Sequence, residues 1–396
     1  MNKWIKLALV YLGGTLIGLS QLKIVPIVEP LAKHLNVSLT QMSLLTSIFT
    51  VSGIFIALPG GILVTKLGPR KLLLLIIGLL SLGNFIGALV TSFPLLLISR
   101  VIEGISFSTI TMTAVVLISS WFKDSPQHGT AIGIFTTFPA MASLIAMNSF
   151  APLSERFGYF ASWYLIGILA LLLVVIYYFT IEETGDLDTA EDEKESGSGL
   201  FMEVIRDGKI WLLAVLQGSM AFVLYAFIAI YPLLYIDFYG LSTATANFYA
   251  SLFGLFGIPF GVVAGILIDK TKRPKELIFI SFLIMALSSI AALYLANSNL
   301  RFIVQLFCLS SSCSLASSAV TITVPKTVRH ESLIGYSMSF VNLVYYTSIV
   351  VGPPLVMNII EKTTWTNGIL VLFVGGVIGV IASLVLIVMK DKAHVS

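Results

Sequence analysis

The sequence predicts an all-α membrane protein of twelve transmembrane helices arranged as two parallel six-helix repeats. Three observations predict it. The 396 residues are 57% hydrophobic and 11% charged, with a mean hydropathy of +0.98, which is more apolar surface than a soluble core could hide. The apolar residues gather in runs of about the twenty residues that cross a bilayer. One long stretch, 182–209, cannot be embedded: its first part is crowded with Glu and Asp and ends in Ser196, Gly197, Ser198 and Gly199. It offers too few apolar groups to offset its ordering entropy. It reads as a solvated linker between an N-terminal bundle, 1–181, and a C-terminal bundle, 210–396.

In chain order the apolar runs are 5–31, 41–64, 71–91, 94–121, 128–151 and 159–181, then 210–236, 243–268, 275–296, 301–325, 332–358 and 366–389. Lys and Arg concentrate on alternate connections: Lys3 and Lys6; Lys66, Arg70 and Lys71; Lys123; Lys194, Arg206 and Lys209; Lys270, Lys272, Arg273 and Lys275; Lys326 and Arg329; Lys390 and Lys392. The opposite connections carry Lys33, Arg156, Arg301 and Lys362. By the positive-inside rule, both termini and the linker face the cytoplasm of a cell inner membrane.

Composition also excludes functions. So few charges, and a net +3 spread over loops, exclude a nucleic-acid partner. The two cysteines, Cys308 and Cys313, lie five apart on one apolar helix, too far to bridge. Four histidines show no metal-ligand spacing, and no nucleophile motif or phosphate loop is present, so neither an enzyme nor a cofactor is expected. The expected partners are a small-molecule solute, a proton and the surrounding lipid, with the chain working as a monomer.

The halves repeat. Gly53, Ala57, Gly61, Leu63 and Lys66 recur as Gly257, Gly261, Gly265, Leu267 and Lys270, an offset of 204; His128, Gly133 and Phe138 recur as His330, Gly335 and Phe340, an offset of 202. Equivalent segments share an orientation, so the repeat axis lies along the membrane normal and a binding site is expected near the midplane. The glycines at four-residue spacing read as helix-packing surfaces rather than solute contacts.

Gly61-Ile-Leu-Val-Thr-Lys-Leu-Gly-Pro-Arg-Lys71 resembles the cytoplasmic signature Gly-x-Leu-Ala-Asp-Arg-x-Gly-Arg-Lys of the major facilitator superfamily. Gly61, Leu63, Lys66, Gly68, Arg70 and Lys71 match, while Thr65 stands where the family has Asp. The second copy, Gly265-Ile-Leu-Ile-Asp-Lys-Thr-Lys, keeps Asp269 and Lys270. The resemblance implies a rocker-switch transporter in which these residues form a gating motif, with the N-terminal copy lacking the usual acidic partner. Arg100 followed by Gly104 is similar to the family's fourth-span Arg-x-x-x-Gly. With Gly18-Leu-Ser-Gln-Leu-Lys23, it looks like the cyanate and nitrate/nitrite permease branch. The segment Phe135-Thr-Thr-Phe-Pro139 lacks that branch's glycine-rich signature and argues against nitrate itself.

Charges at membrane depth single out the candidate site, because an ionised group there needs a cavity or a partner. Lys23 lies far along the first run; Arg100 and Glu103 share a face of the fourth at i, i+3. Two readings stay open. The charges are either an internal ion pair that holds helices together, or a solute site in which Lys23 and Arg100 bind an anion and Glu103 takes the proton. Gln21, Tyr225, Asn342 and Tyr346 are the uncharged residues expected to bind solute. The function expected is secondary active transport of a small organic or inorganic anion by alternating access, coupled to protons. A drug or metabolite exporter, a passive uniporter and a non-transporting receptor are the alternatives.

Overall fold

The computed structural model of the chain describes residues 2–90, 92–182, 197–295 and 298–389. The regular elements among them are all helical. They are α1 (Lys3–Leu22), α2 (Val28–Leu35), α3 (Leu39–Leu67), α4 (Pro69–Leu89), α5 (Phe93–Trp121), α6 (His128–Phe135), α7 (Phe138–Phe157) and α8 (Ala161–Thr180). There follow α9 (Gly197–Arg206), α10 (Gly208–Leu233), α11 (Thr243–Thr271), α12 (Pro274–Ala291), α13 (Asn299–Thr327), α14 (Ser332–Lys362) and α15 (Trp365–Val388). Among the described residues, eleven helical stretches are long and apolar enough to cross a membrane. A twelfth crossing results when the two arms of α3, bent by 62° between Ile56 and Pro59, count as one. The chain is therefore the all-α multi-pass protein the apolar runs predict.

Local chemistry sets the ends and breaks. Ser38 starts α3 with a capping box, its hydroxyl accepting from Gln41 N while Gln41 Oε1 accepts from Ser38 N. Proline opens α4 and α12 at the first turn, where its missing N–H costs nothing. Inside α3 the same missing donor, with the ring against the preceding turn, produces the bend at Pro59. Pro26 sits in a single 3₁₀ turn, Val25–Ile27, and Pro232 precedes a π turn, Leu234–Phe238.

Two expectations are corrected. The apolar run 5–31 is not one straight span. It divides at the 3₁₀ turn, and its tail belongs to the short amphipathic α2, closed by Asn36 at φ 57°. The segment 182–209 is not linker throughout. Gly197–Arg206 is a helix whose Val204 is buried, because Leu200, Phe201, Val204 and Ile205 recur at helical spacing. The acidic stretch 186–195 with Lys194, and the C-terminal Lys390 and Lys392, lie outside the described residues.

The chain forms two compact units. One comprises 1–124, 138–201 and 330–343; the other 125–137, 202–329 and 344–396. In the first, α1, α3, α4, α5 and α8 pack around the core, and the start of α14 meets α3 where a Cβ on Gly61 would lie 3.2 Å from Gly335 O. In the second, α6 lies against α11 through Gly129 and Gly133 on one side and Gly261 and Gly265 on the other. A Cβ on Gly133 would come within 2.6 Å of Gly261 O, and one on Gly265 within 2.7 Å of Thr130 Cα. The repeated glycines thus bring backbones together, as small residues do between helices in lipid.

Candidate functional site

The first unit holds a fully buried ionic cluster. Lys23, the residue that closes α1, and Arg100 and Glu103 of α5 have no solvent exposure. Lys23 Nζ donates to both Glu103 oxygens at 2.9 Å, to Asn84 Oδ1 of α4 at 2.6 Å, and at 3.5 Å approaches Ser20 Oγ. Arg100 Nη1 donates to Glu103 Oε2 at 2.6 Å and to Ser20 O at 2.7 Å; Nη2 donates to Gln21 O at 3.1 Å, and Nε to Leu45 O at 3.2 Å. Ser20 Oγ donates to Glu103 Oε2 at 2.8 Å and accepts from Asn84 Nδ2 at 3.2 Å.

Aromatic faces complete the enclosure. The Lys23 ammonium lies 4.3 Å from the centroid of the Trp163 ring of α8, and the Arg100 guanidinium 4.4 Å from that of Phe49 of α3. Both are cation–π contacts. Beyond Lys23, the apolar side chains Ile24, Ile27, Leu31, Met42, Leu45 and Leu96 pack with Trp163 into a continuous core. A charge-assisted network of this kind holds together only because each partner is present. It ties α1, α3, α4, α5 and α8 into one body.

The sequence-predicted residues thus divide. Lys23, Arg100 and Glu103 come together, bonded to one another and to Ser20, Asn84 and the Gln21 and Leu45 carbonyls. Gln21 enters through its backbone carbonyl. Asn342, also in the first unit, is buried, and its Nδ2 has no hydrogen-bond partner; the same is true of Ser337 Oγ. Tyr225 and Tyr346 belong to the second unit. There Tyr225 OH meets Tyr345 OH at 3.0 Å and the Tyr345 ring stands edge-on to Tyr346. In that unit Gln217 Nε2 donates to Ser317 Oγ at 3.3 Å while its Oε1 is buried without a partner. Asn84, Ser20 and Trp163 were missed by the reading of charges. The polar residue amid the apolar run 71–91 was the available signal for Asn84.

The gating-motif residues take separate positions. Gly68 ends α3 at φ 77° and admits the tight turn into α4. Arg70 donates through Nε to Ile181 O and through Nη2 to Tyr178 O, closing the C-terminal end of α8. Lys66 and Lys270 are exposed. Asp269 of α11 caps α6: Oδ1 accepts from Gly129 N at 2.9 Å, and Oδ2 from Thr130 N and Thr130 Oγ1, both at 2.6 Å. Thr65, at the corresponding place in the first repeat, bonds its own helix at Gly61 O. Among the described residues, no three His, Cys, Asp or Glu side chains gather to hold a metal ion.

Eleven or twelve membrane-crossing helices with a buried ionic cluster among them define a polytopic membrane protein. The family model of the Major Facilitator Superfamily matches residues 10–353, and the chain belongs to that family. Over 368 residues, 84% of this chain and 80% of its relative, it is 24% identical to a probable galactarate/D-glucarate transporter of Bacillus subtilis. Over 367 residues, 89% of this chain and 86% of the other, it is 22% identical to a hexuronate transporter of the same organism. Among solved structures, the transporter FucP in its outward conformation superposes with a TM-score of 0.81 at 14% identity, covering 98% of this chain and 99% of that one. The chain is a transporter and not an enzyme.

Proposed function

We propose that this protein carries small organic anions of the sugar-acid class together with protons across a bacterial inner membrane. It works as a monomer by alternating access, with residues 1–181 and 210–396 as its two halves and both termini in the cytoplasm. The observation that carries the reading is the charge count of the buried cluster: Lys23 and Arg100 against Glu103 alone. An interior with one cation in excess favours an anionic solute, because an uncompensated charge out of water is costly. The names of the two Bacillus subtilis relatives, both concerned with sugar acids, support the same class. Asn342 Nδ2, buried without a hydrogen-bond partner, is suited to a solute rich in hydroxyls. Gln21, Tyr225 and Tyr346 are further hydrogen-bonding groups we assign to it. With no ATP-hydrolysing motif in the sequence, accumulation draws on an ion gradient.

Proteoliposomes containing the purified protein test this reading with radiolabelled D-glucuronate and D-glucarate against neutral D-xylose. A pH gradient, acid outside, should drive accumulation of a sugar acid inside the vesicles, and a protonophore should abolish it. Uptake of D-xylose alone overturns the anionic class, and acid uptake indifferent to the protonophore overturns the coupling.

A further inference from the structure

The buried cluster contains two cations and one anion, and all three are sealed from solvent. Fully ionised, it holds one uncompensated positive charge in a dry interior, a condition proteins relieve by moving a proton. Three groups could do so. Arginine keeps its proton in proteins, which removes Arg100. Protonating Glu103 would worsen the imbalance, leaving two cations with no counter-charge. It would also put a hydrogen on a carboxyl to which Lys23, Arg100 and Ser20 already donate. Lys23 remains: as a neutral amine it keeps two N–H groups, enough for Asn84 Oδ1 and Glu103, and leaves Glu103 and Arg100 as a balanced pair.

We propose that Lys23, not Glu103, is the proton-binding group of this carrier, and that its ammonium form is the counter-charge of the bound anion. The proposal rests on the proton-coupled reading above. Without solute, a neutral Lys23 amine beside the Glu103–Arg100 pair is balanced. With a proton taken from water onto the Lys23 nitrogen and one carboxylate of the solute nearby, the set is balanced again. Proton alone or anion alone leaves a buried net charge, so the binding of each favours the binding of the other. The groups that face Lys23 are Ser20 on its own helix, Asn84 on α4, Glu103 and Arg100 on α5, and Trp163 on α8. Of these, Glu103 and Arg100 are ionisable. Trp163, whose ring covers the ammonium, has its Nε1 buried without a partner, and so does the hydroxyl of the preceding Ser162.

Trp163 is also a built-in reporter, because a charge 4.3 Å from its ring changes its emission. The experiment uses the full chain in nanodiscs with Trp4, Trp121, Trp211 and Trp365 replaced by Phe, and follows fluorescence from about pH 4 to about pH 10. No solute is required, so the result is independent of whether a sugar acid is the cargo. A single titration is expected, lost in Lys23→Met and in Lys23→Arg. In Glu103→Gln it should persist with its midpoint lower by about one pH unit or more, since the anion that favours the ammonium is gone. In Arg100→Gln the midpoint should rise. A titration that survives Lys23→Met and vanishes in Glu103→Gln assigns the proton to Glu103 and overturns the proposal. A parent protein with no titration in that range overturns it as well. Lys23→Met leaves a neutral ion pair and should fold, which a monodisperse gel-filtration profile checks.

Discussion

Deleting Glu103 and deleting Lys23 should have unequal consequences, because the buried cluster is not symmetric in charge. Glu103→Ala leaves the buried Arg100 without its counter-charge and Lys23 without its carboxylate contacts, and should destabilise the protein by about 3 to 5 kcal/mol, as breaking a buried ion pair does. Lys23→Met leaves Glu103 bonded to Arg100 and Ser20. Its cost should be nearer 1 to 3 kcal/mol, roughly that of leaving Asn84 Oδ1 without its donor. Thermal unfolding in detergent ranks the two, and an equal loss would mean the network is not balanced as its geometry indicates. At this scale the sequence identified the charges but not their bonds. Lys23, Arg100 and Glu103 stand out because ionisable residues are rare at membrane depth. Asn84, Ser20 and Trp163 do not, since which neutral side chain faces a buried charge depends on how four helices are rotated against each other.

Between elements, the contact of α6 with α11 rests on glycine and on one carboxylate. Asp269 accepts three hydrogen bonds at the N-terminus of α6, where the first N–H groups have no partner within the helix and negative charge is favoured. Asp269→Ala should cost about 1 to 2 kcal/mol, the upper range for a lost cap; Asp269→Asn should cost less, since one amide oxygen still accepts. Thr65→Ala, which removes a bond within its own helix, should change melting little. The glycines separate in the same way. A Cβ at Gly265 meets the Gly129 carbonyl and Thr130 Cα, which are backbone and cannot yield, whereas at Gly78 there is open space. Gly265→Ala should therefore lower the melting temperature, and Gly78→Ala should leave it unchanged or raise it by the helix propensity of alanine, up to about 1 kcal/mol. Equal effects at both positions would count against the close approach of α6 and α11. Element positions were legible from hydrophobic runs; the breaks at Pro26 and Pro59, which fall inside runs read as continuous, were not. The helix Gly197–Arg206 was hidden because Gly and Ser at its start resemble a linker, and its apolar spacing is too short to stand out beside an acidic run.

For the whole molecule, the alternation of Lys and Arg supports an orientation with both termini in the cytoplasm, and the structure supplies exposed positions at which that can be tested. Lys33 is exposed on α2, and Arg273 is exposed between α11 and α12. If both termini are cytoplasmic, the chain leaves α1 on the outer face, so Lys33 lies outside. It then crosses an even number of times from α3 through α10 and enters α11 from outside, so Arg273 lies inside. The positive-inside bias supports the same assignment, since Arg273 has Lys270, Lys272 and Lys275 as neighbours, whereas Lys33 is the one basic residue noted on its connection. With Cys308 and Cys313 replaced by Ser, an impermeant maleimide applied to intact cells should label Lys33→Cys and spare Arg273→Cys. Permeabilised cells should label both. The count of crossings enters directly: α3 is bent by 62° at Pro59, and if its two arms entered and left by the same face, Lys33 and Lys71 would share a side. Labelling of Lys71→Cys in intact cells would establish that re-entrant path and leave eleven crossings; its protection would make α3 one bent span and complete twelve.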